Sequence, residues 1–356
     1  MRLLDRILFE KIAPLQIRYL ARQDYSHAGP LARAALDQMD ADFVIGPPLT
    51  VHIPNPELMA GVWSAARECV AAGRAGRPLR EVVAAAVSRL NACPYCYDIH
   101  TSMLHSFGEE NLAQAVWRGE PLPDAKIQAV AEWAAATLSP DAPVLAAPPF
   151  TRAEAPAIVG TAVGFHYLNR VVNVFLDASP VPFQGHGWLK EQLIGLSGRI
   201  LKPRLAAQNP QPGQFLTPLS GALSAEFAWA NGDANIAGGF QRFAAAAESA
   251  GEESVDGAVR EVVTGYLAGW RGEAPALGRA WLASAVAPLD AELQPAGRLA
   301  LLAAVAPYQV DKTLVAEFAR RQPGDRHLVN TVAWSCYAAA RRISAWLRTP
   351  IVTSRP

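Results

Sequence analysis

Apolar residues recur at three- and four-residue intervals in segment after segment of this 356-residue chain, and β-branched alternation is scarce. That spacing puts an apolar stripe on each of a series of helices and leaves no two-residue pattern for a strand, so the expected fold class is all-α. Hydrophobic residues make up 51% of the sequence, enough for those stripes to bury one another in one large core or two smaller ones.

Proline, asparagine and glycine divide the stripes into elements. The first fifty residues read as an irregular lead-in with one helix near 31–39, closed by Gly46, Pro47 and Pro48. Asn55 as N-cap with Pro56 at the first helical position starts a helix expected to reach about residue 72, where Gly73 stops it. Pro78 starts the next, which ends near Asn91, and Pro94 starts a third that ends before Gly108. Two more are expected over 109–118 and 123–138, and Thr151 with Glu154 forms a capping box for a long helix to about 177.

From Ser179 the pattern changes. Pro180, Pro182, Gly185 and Gly187 precede a short apolar segment, and the run from Asn209 to Gly213, with Pro210 and Pro212 inside it, reads as a linker. Beyond it, helices are expected at about 217–230, 234–250, 255–270, 274–286, 295–305, 309–321 and 326–348, the last capped by Asp325. The expected organisation is a lead-in over 1–50, a helical unit over 51–178, a linker region over 179–215 and a second helical unit over 216–356. The second unit reads as a degenerate copy of the first. Arg80-Glu81-Val82-Val83 recurs as Arg260-Glu261-Val262-Val263, Pro149-Phe150 resembles Pro307-Tyr308, and Arg170 with Phe175-Leu176 resembles Arg341 with Trp346-Leu347.

Lys plus Arg and Asp plus Glu balance at 32 each, so no basic field favours nucleic acid or an anionic membrane surface, and the expected partners are small molecules or proteins. Charges interrupt the apolar residues between Met1 and Lys11, unlike a signal-peptide core, and no uncharged apolar run is long enough to span a bilayer. The expected location is the cytoplasm. Four cysteines, Cys69, Cys93, Cys96 and Cys336, are too few and too unevenly spread for a disulfide framework, and the close pair points to redox or metal chemistry. No glycine fingerprint for a dinucleotide or a phosphate is present, so no cofactor is expected.

The stretch from Asn91 to His100 carries the most specific chemistry, with two thiols and an imidazole inside eight positions. Pro94 suits the first helical position, which makes Cys93 the N-cap and puts Cys96 in the first turn. His100 follows by four residues and so shares a helix face with Cys96. A helix N-terminus and a neighbouring base both favour a thiolate, the reactive form, and Cys96 has both. Cys93 is placed to close a disulfide once Cys96 has been oxidised. If the helix ending near Asn91 and the one starting at Pro94 run antiparallel, Glu81 and His100 lie about equally far from the turn. A carboxylate there would fix the imidazole tautomer and complete a relay from Glu81 through His100 to Cys96.

Glu81, Cys93, Cys96 and His100, at these spacings and in this helical context, resemble the signature of the AhpD-like alkylhydroperoxidases of the carboxymuconolactone decarboxylase superfamily. The resemblance covers about residues 50–178 and implies an all-α peroxidase. Cys96 would be the peroxidatic cysteine, Cys93 the resolving cysteine, and Glu81 with His100 the proton relay. It further implies a hydroperoxide substrate, re-reduction by an external dithiol such as a lipoyl group, and oligomerisation through helix packing. Tyr95 stands where some members have histidine, and the chain is much longer than a single-unit member. Members that lack the cysteines decarboxylate lactone acids. This chain keeps both and offers no matching cluster of cations.

Two other readings of the motif stand beside the redox one. Two thiolates and one imidazole can supply three zinc ligands, but His105 is about 180° round the helix and no second CxxC exists. The thiols can also be structural. Either way the protein would be a non-catalytic helical binder, serving as a redox sensor or a zinc-stapled interaction module. Cys69 and Cys336 read as small buried hydrophobes. His166 and His52 read as satisfied core histidines, His166 with some prospect of lying near the site, while His27, His186 and His327 carry no signal. Trp117, Trp133, Phe165 and Phe175 read as core.

Overall fold

Capping chemistry sets most helix starts, as read from the sequence. The computed structural model describes residues 13–22, 25–72, 76–181, 187–219, 221–276 and 278–353. The charge-interrupted start, Gly73, Pro182, Gly185 and His186 lie outside the described residues. After α1 (Pro30–Asp42) comes α2 (Pro56–Ala66), where the Asn55 side chain accepts a hydrogen bond from Leu58 N and Pro56 opens the helix. A single π turn, Arg67–Ala71, prolongs α2 and ends it at Ala72. Then come α3 (Arg77–Leu90), α4 (Pro94–Ser106), α5 (Glu110–Arg118), α6 (Ala125–Ala135) and α7 (Ala155–Phe175). Thr151 and Glu154 make the expected reciprocal contacts, with Thr151 N to Glu154 Oε2 at 2.8 Å and Glu154 N to Thr151 Oγ1 at 3.3 Å.

The second half continues with α8 (Trp188–Ala207), α9 (Ala234–Ser254), α10 (Gly257–Gly269), α11 (Ala280–Val286), α12 (Gln294–Val305), α13 (Lys312–Arg321) and α14 (Asp325–Thr353). Asp233, Asp256 and Asp311 cap three of these with their side chains. Among the described residues there is no strand, only an isolated bridge between Ile17 and Leu176. The fold is all-α.

Helices of the two halves pack face to face. α9 packs across α2, and α14 packs along α7. At the first crossing the backbones nearly touch: a Cβ on Gly239 would lie 2.9 Å from the Ser64 carbonyl oxygen, a position only glycine fills without a shift. The main core spans both halves, with Trp63, Trp133 and Phe175 from the first and Trp229, Phe240 and Phe318 from the second, and among the described residues two small clusters lie beside it.

Three stretches differ from the sequence expectation. Residues 188–207 form a long helix, α8, packed on α4. Its buried positions are Lys190, Ile194, Gly195, Gly198 and Leu205, while Trp188, Leu189, Leu196 and Ile200 are exposed. With Lys190, Gly195 and Gly198 sharing the inner face with Ile194 and Leu205, and four large apolar residues outside, it lacks the continuous apolar stripe that marks a helix in sequence. Second, of the helix expected at 217–230 only a 3₁₀ turn at Ala225–Ala230 is formed, capped by Ser224. Third, the Asp325 carboxylate accepts a hydrogen bond from Ala21 N at 2.8 Å and so fastens the lead-in. That lead-in crosses the end of α7, where Arg18 donates to the carbonyls of Asn173 and Val174, both at 3.0 Å. These are carbonyls that a helix C-terminus leaves without intrahelical partners. Within 209–213, Gln211 is held by its carbonyl oxygen, which accepts from Arg67 Nη2 at 2.8 Å.

Candidate active site

The turn between α3 and α4 is three residues long. Ala92 takes a left-handed conformation at φ 48°, and Cys93 N donates to the Ser88 carbonyl at 2.9 Å. This reversal lays α4 back along α3 and brings Glu81 and His100 together, with Glu81 Oε2 2.6 Å from His100 Nδ1. The carboxylate can only accept there, so Nδ1 carries the proton and, in the neutral ring, Nε2 holds the free lone pair. The edge of Phe165 packs against the imidazole, 4.4 Å between centroids at 88°.

Glu81 is fully buried, and its second oxygen is taken by Arg77 Nε, one helical turn earlier, at 2.6 Å. Burial pushes the Glu81 carboxyl up, but Arg77 and His100 together outweigh it and bring it down to about 2. The Arg77 guanidinium itself lies 5.0 Å from the ring centroids of both Phe43 and Phe107. Arg77 escaped the sequence reading, although its four-residue spacing from Glu81 was available as a signal.

Cys93 and Cys96 are buried free thiols, Cys93 at the N-cap of α4 and Cys96 in its first turn. Burial, then Cys96, pushes the Cys93 thiol well above the usual cysteine range. Cys96 and His100 both line a cavity of about 350 Å³, and Cys93 lies behind that wall. The rest of the lining is mostly apolar, including Leu49, Trp63, Val70, Met103, Phe165 and Leu168, and among the described residues it contains no lysine or arginine. Ile200, 62% exposed, marks its outer rim on α8. Beside it Tyr95 donates its hydroxyl to Gln16 Oε1 at 3.0 Å, so the lead-in forms part of the wall.

α8 is held over the cavity by a buried ion pair, Lys190 Nζ to Asp98 Oδ2 at 2.7 Å, and Ser179 donates to the same oxygen. Its close approach depends on Gly198, where a Cβ would lie 2.4 Å from the Ser102 carbonyl oxygen. Asp98, Lys190 and Phe165 were missed as site residues, since α8 gave no helix signal and Phe165 reads as ordinary core. Trp117, Trp133 and Phe175 are core.

The other titratable candidates lie elsewhere. Cys69 is buried, and burial pushes its thiol up to about 12. Cys336 is buried against the Ala303 carbonyl. His52 is held down to about 4 by burial and bonds Tyr167 Oη at 2.7 Å. His166 sits behind the α3–α4 turn, bonded to Asn91 and Thr137. His105 packs against Gly195 of α8, away from the thiols. Among the described residues, no three His, Cys, Asp or Glu side chains gather in metal-binding geometry. No described helix is long and apolar enough to cross a membrane.

Two comparisons with known proteins bear on this arrangement. Residues 56–142, from the start of α2 to just beyond α6, match the carboxymuconolactone decarboxylase family. Over 302 residues, 84% of this chain and 86% of the relative, the sequence is 32% identical to a Mycobacterium tuberculosis protein named alkyl hydroperoxide reductase.

Proposed function

The chain belongs to the carboxymuconolactone decarboxylase family, as an AhpD-like protein of two units, and on that premise we propose that it reduces hydroperoxides through Cys96 and Cys93. The relative's name supports the reaction class. The observation that carries the residue assignment is the Glu81–His100 contact of 2.6 Å, made by an imidazole that shares a cavity wall with Cys96.

In this reading His100 Nε2 takes the Cys96 proton while Glu81, held ionised by Arg77, steadies the imidazolium. The thiolate attacks the terminal peroxide oxygen, the O–O bond breaks, and the departing alkoxide takes the proton back from His100 to leave as an alcohol. Cys96 is left as a sulfenic acid. The Cys93 sulfur then attacks it, the S–S bond forms and water leaves. An external dithiol reduces the disulfide, its two thiols becoming a disulfide in turn. The apolar cavity favours an organic hydroperoxide over a small polar one. Both cysteines of the motif are present, which favours redox chemistry over decarboxylation of a lactone acid.

One equivalent of organic hydroperoxide, added to reduced protein and followed by intact mass and peptide mapping, tests the proposal. The expected result is rapid loss of two hydrogens localised to Cys93 and Cys96 and absent in Cys96→Ser. Thiols that stay reduced would overturn it.

A further inference from the structure

A groove between α10 and α14 lies in the second half, and nothing in the chemistry of the thiols uses it. It encloses about 580 Å³, within the usual range of a small-molecule site. Its floor is apolar, formed by Leu267 of α10 and the buried indole of Trp334 of α14. α9 presses on that indole at Gly251, where a Cβ would overlap the ring. The floor is therefore held rigidly in place.

Three arginines stand in the lining, and they differ in what holds them. Arg341 is met by two carboxylates, with Nε 3.1 Å from Glu226 Oε1 and Nη1 2.9 Å from Glu248 Oε1. Arg342 donates Nη2 to the Ala268 carbonyl at 2.9 Å and Nε to the Trp270 carbonyl at 3.3 Å, which fixes its plane and leaves Nη1 over. Arg260 is the uncommitted one. Among the described residues its side chain makes no hydrogen bond or ion pair, and its Nε is buried without an acceptor. The arginine of the first copy of this string is spent on the fold, Arg80 Nη1 donating to the Ala72 carbonyl at 2.8 Å.

Two carboxylates share the lining with them. Glu248 is taken by Arg341 and by Trp334 Nε1 at 3.3 Å, while Glu261 is exposed and, as the sequence neighbour of Arg260, points to a different side of α10. Arg260 and Arg342 therefore have one uncommitted carboxylate between them. The groove carries an excess of positive charge.

We propose that this groove binds a small organic anion, whose carboxylate or phosphate group meets the guanidiniums of Arg260 and Arg342 while its apolar body lies on Trp334 and Leu267. A guanidinium offers two parallel N–H donors, which match the edge of a carboxylate or a phosphate. Arg342 is already oriented by the carbonyls at the end of α10, so binding has only Arg260 to order. None of these residues lines the Cys96 cavity, and the proposal is independent of the hydroperoxidase reading.

Isothermal titration calorimetry of the full chain with benzoate and with phenyl phosphate tests the site, with benzamide as the neutral control. At least one anion should bind at millimolar concentration or tighter, and benzamide roughly tenfold more weakly or not at all. The tighter anion identifies the group that the groove takes. Arg260→Met removes the fork and keeps the apolar stem at a position that holds no fold contact, and should weaken the anion by roughly tenfold. Thr264→Phe sets a ring into the groove from an exposed position on α10 and should abolish binding with the charges unchanged. Thermal unfolding checks that both variants are folded. Absence of binding by either anion, equal binding of benzamide, or wild-type affinity in either folded variant would overturn the assignment.

Discussion

Arg80-Glu81 stands on α3, packed against α7, and Arg260-Glu261 on α10, packed against α14, yet their surroundings have little in common. Glu81 is fully buried between Arg77 and His100, whereas Glu261 is exposed. The difference lies in the segment after each helix. α3 ends in the Asn91–Cys93 turn, which returns an antiparallel helix bearing His100. α10 ends at Trp270, whose buried ring packs over Arg170 from behind. At the offset that aligns the two strings, Gly257 stands in the place of Arg77. The glutamate of the string thus lies in a buried ion pair in one unit and at the surface in the other.

The largest expected effect contrasts the two carboxylates directly. Glu81→Gln should slow Cys96 oxidation by about 10³-fold, the usual worth of a positioned acid–base partner. Glu261→Gln should leave the rate unchanged and stability within about 0.5 kcal/mol. Stopped-flow thiol oxidation and thermal unfolding measure both, and equal effects at the two sites would erase the distinction between them.

Next comes the pH dependence of stability. The Glu81 carboxyl titrates at about 2 in the folded protein against 4.5 as a free side chain, so its stabilisation is complete above about pH 4.5 and is lost as pH falls toward 2. That shift corresponds to stabilisation on the order of 3 kcal/mol. Arg77→Met removes the main partner that offsets burial, so its acid-unfolding midpoint should move to higher pH by circular dichroism. An unmoved midpoint would show that His100 alone suffices.

Gly198→Ala tests the cover that α8 provides over the first site. A Cβ would press on the Ser102 carbonyl, and the variant should lose about 2 kcal/mol in denaturant unfolding as α8 is pushed from α4. Normal stability would mean that α8 shifts freely. The smallest effect is expected at the turn itself. Ala92→Gly relieves a left-handed alanine and should gain about 0.5 kcal/mol, the strain relieved exceeding the entropy glycine adds to the unfolded chain. A loss of stability would show that the turn is not strained.

The helices of the first unit were legible because their starts are written in local chemistry. Asn55 with Pro56, Pro94 after Cys93, and the Thr151–Glu154 box all act within one helical turn. The pairing of Glu81 with His100 was legible too, since it needs only two helices and a tight turn. α8 was illegible because it buries Lys190, Gly195 and Gly198 beside Ile194 and Leu205 and shows solvent Trp188, Leu189, Leu196 and Ile200. Phe165 gave no separate signal, resembling an ordinary core residue of its helix, while Arg77 was marked only by its four-residue spacing from Glu81.

By itself, then, the sequence determined the all-α class, the helix starts and the identity of the thiols, imidazole and carboxylate, because caps and periodicity are local interactions. Only the tertiary structure decided that Cys96 faces an apolar cavity while Cys93 is buried outside its lining. That division depends on α7 and α8, brought to the turn from about 70 to 110 residues away along the chain, and local chemistry carries no information across such a separation.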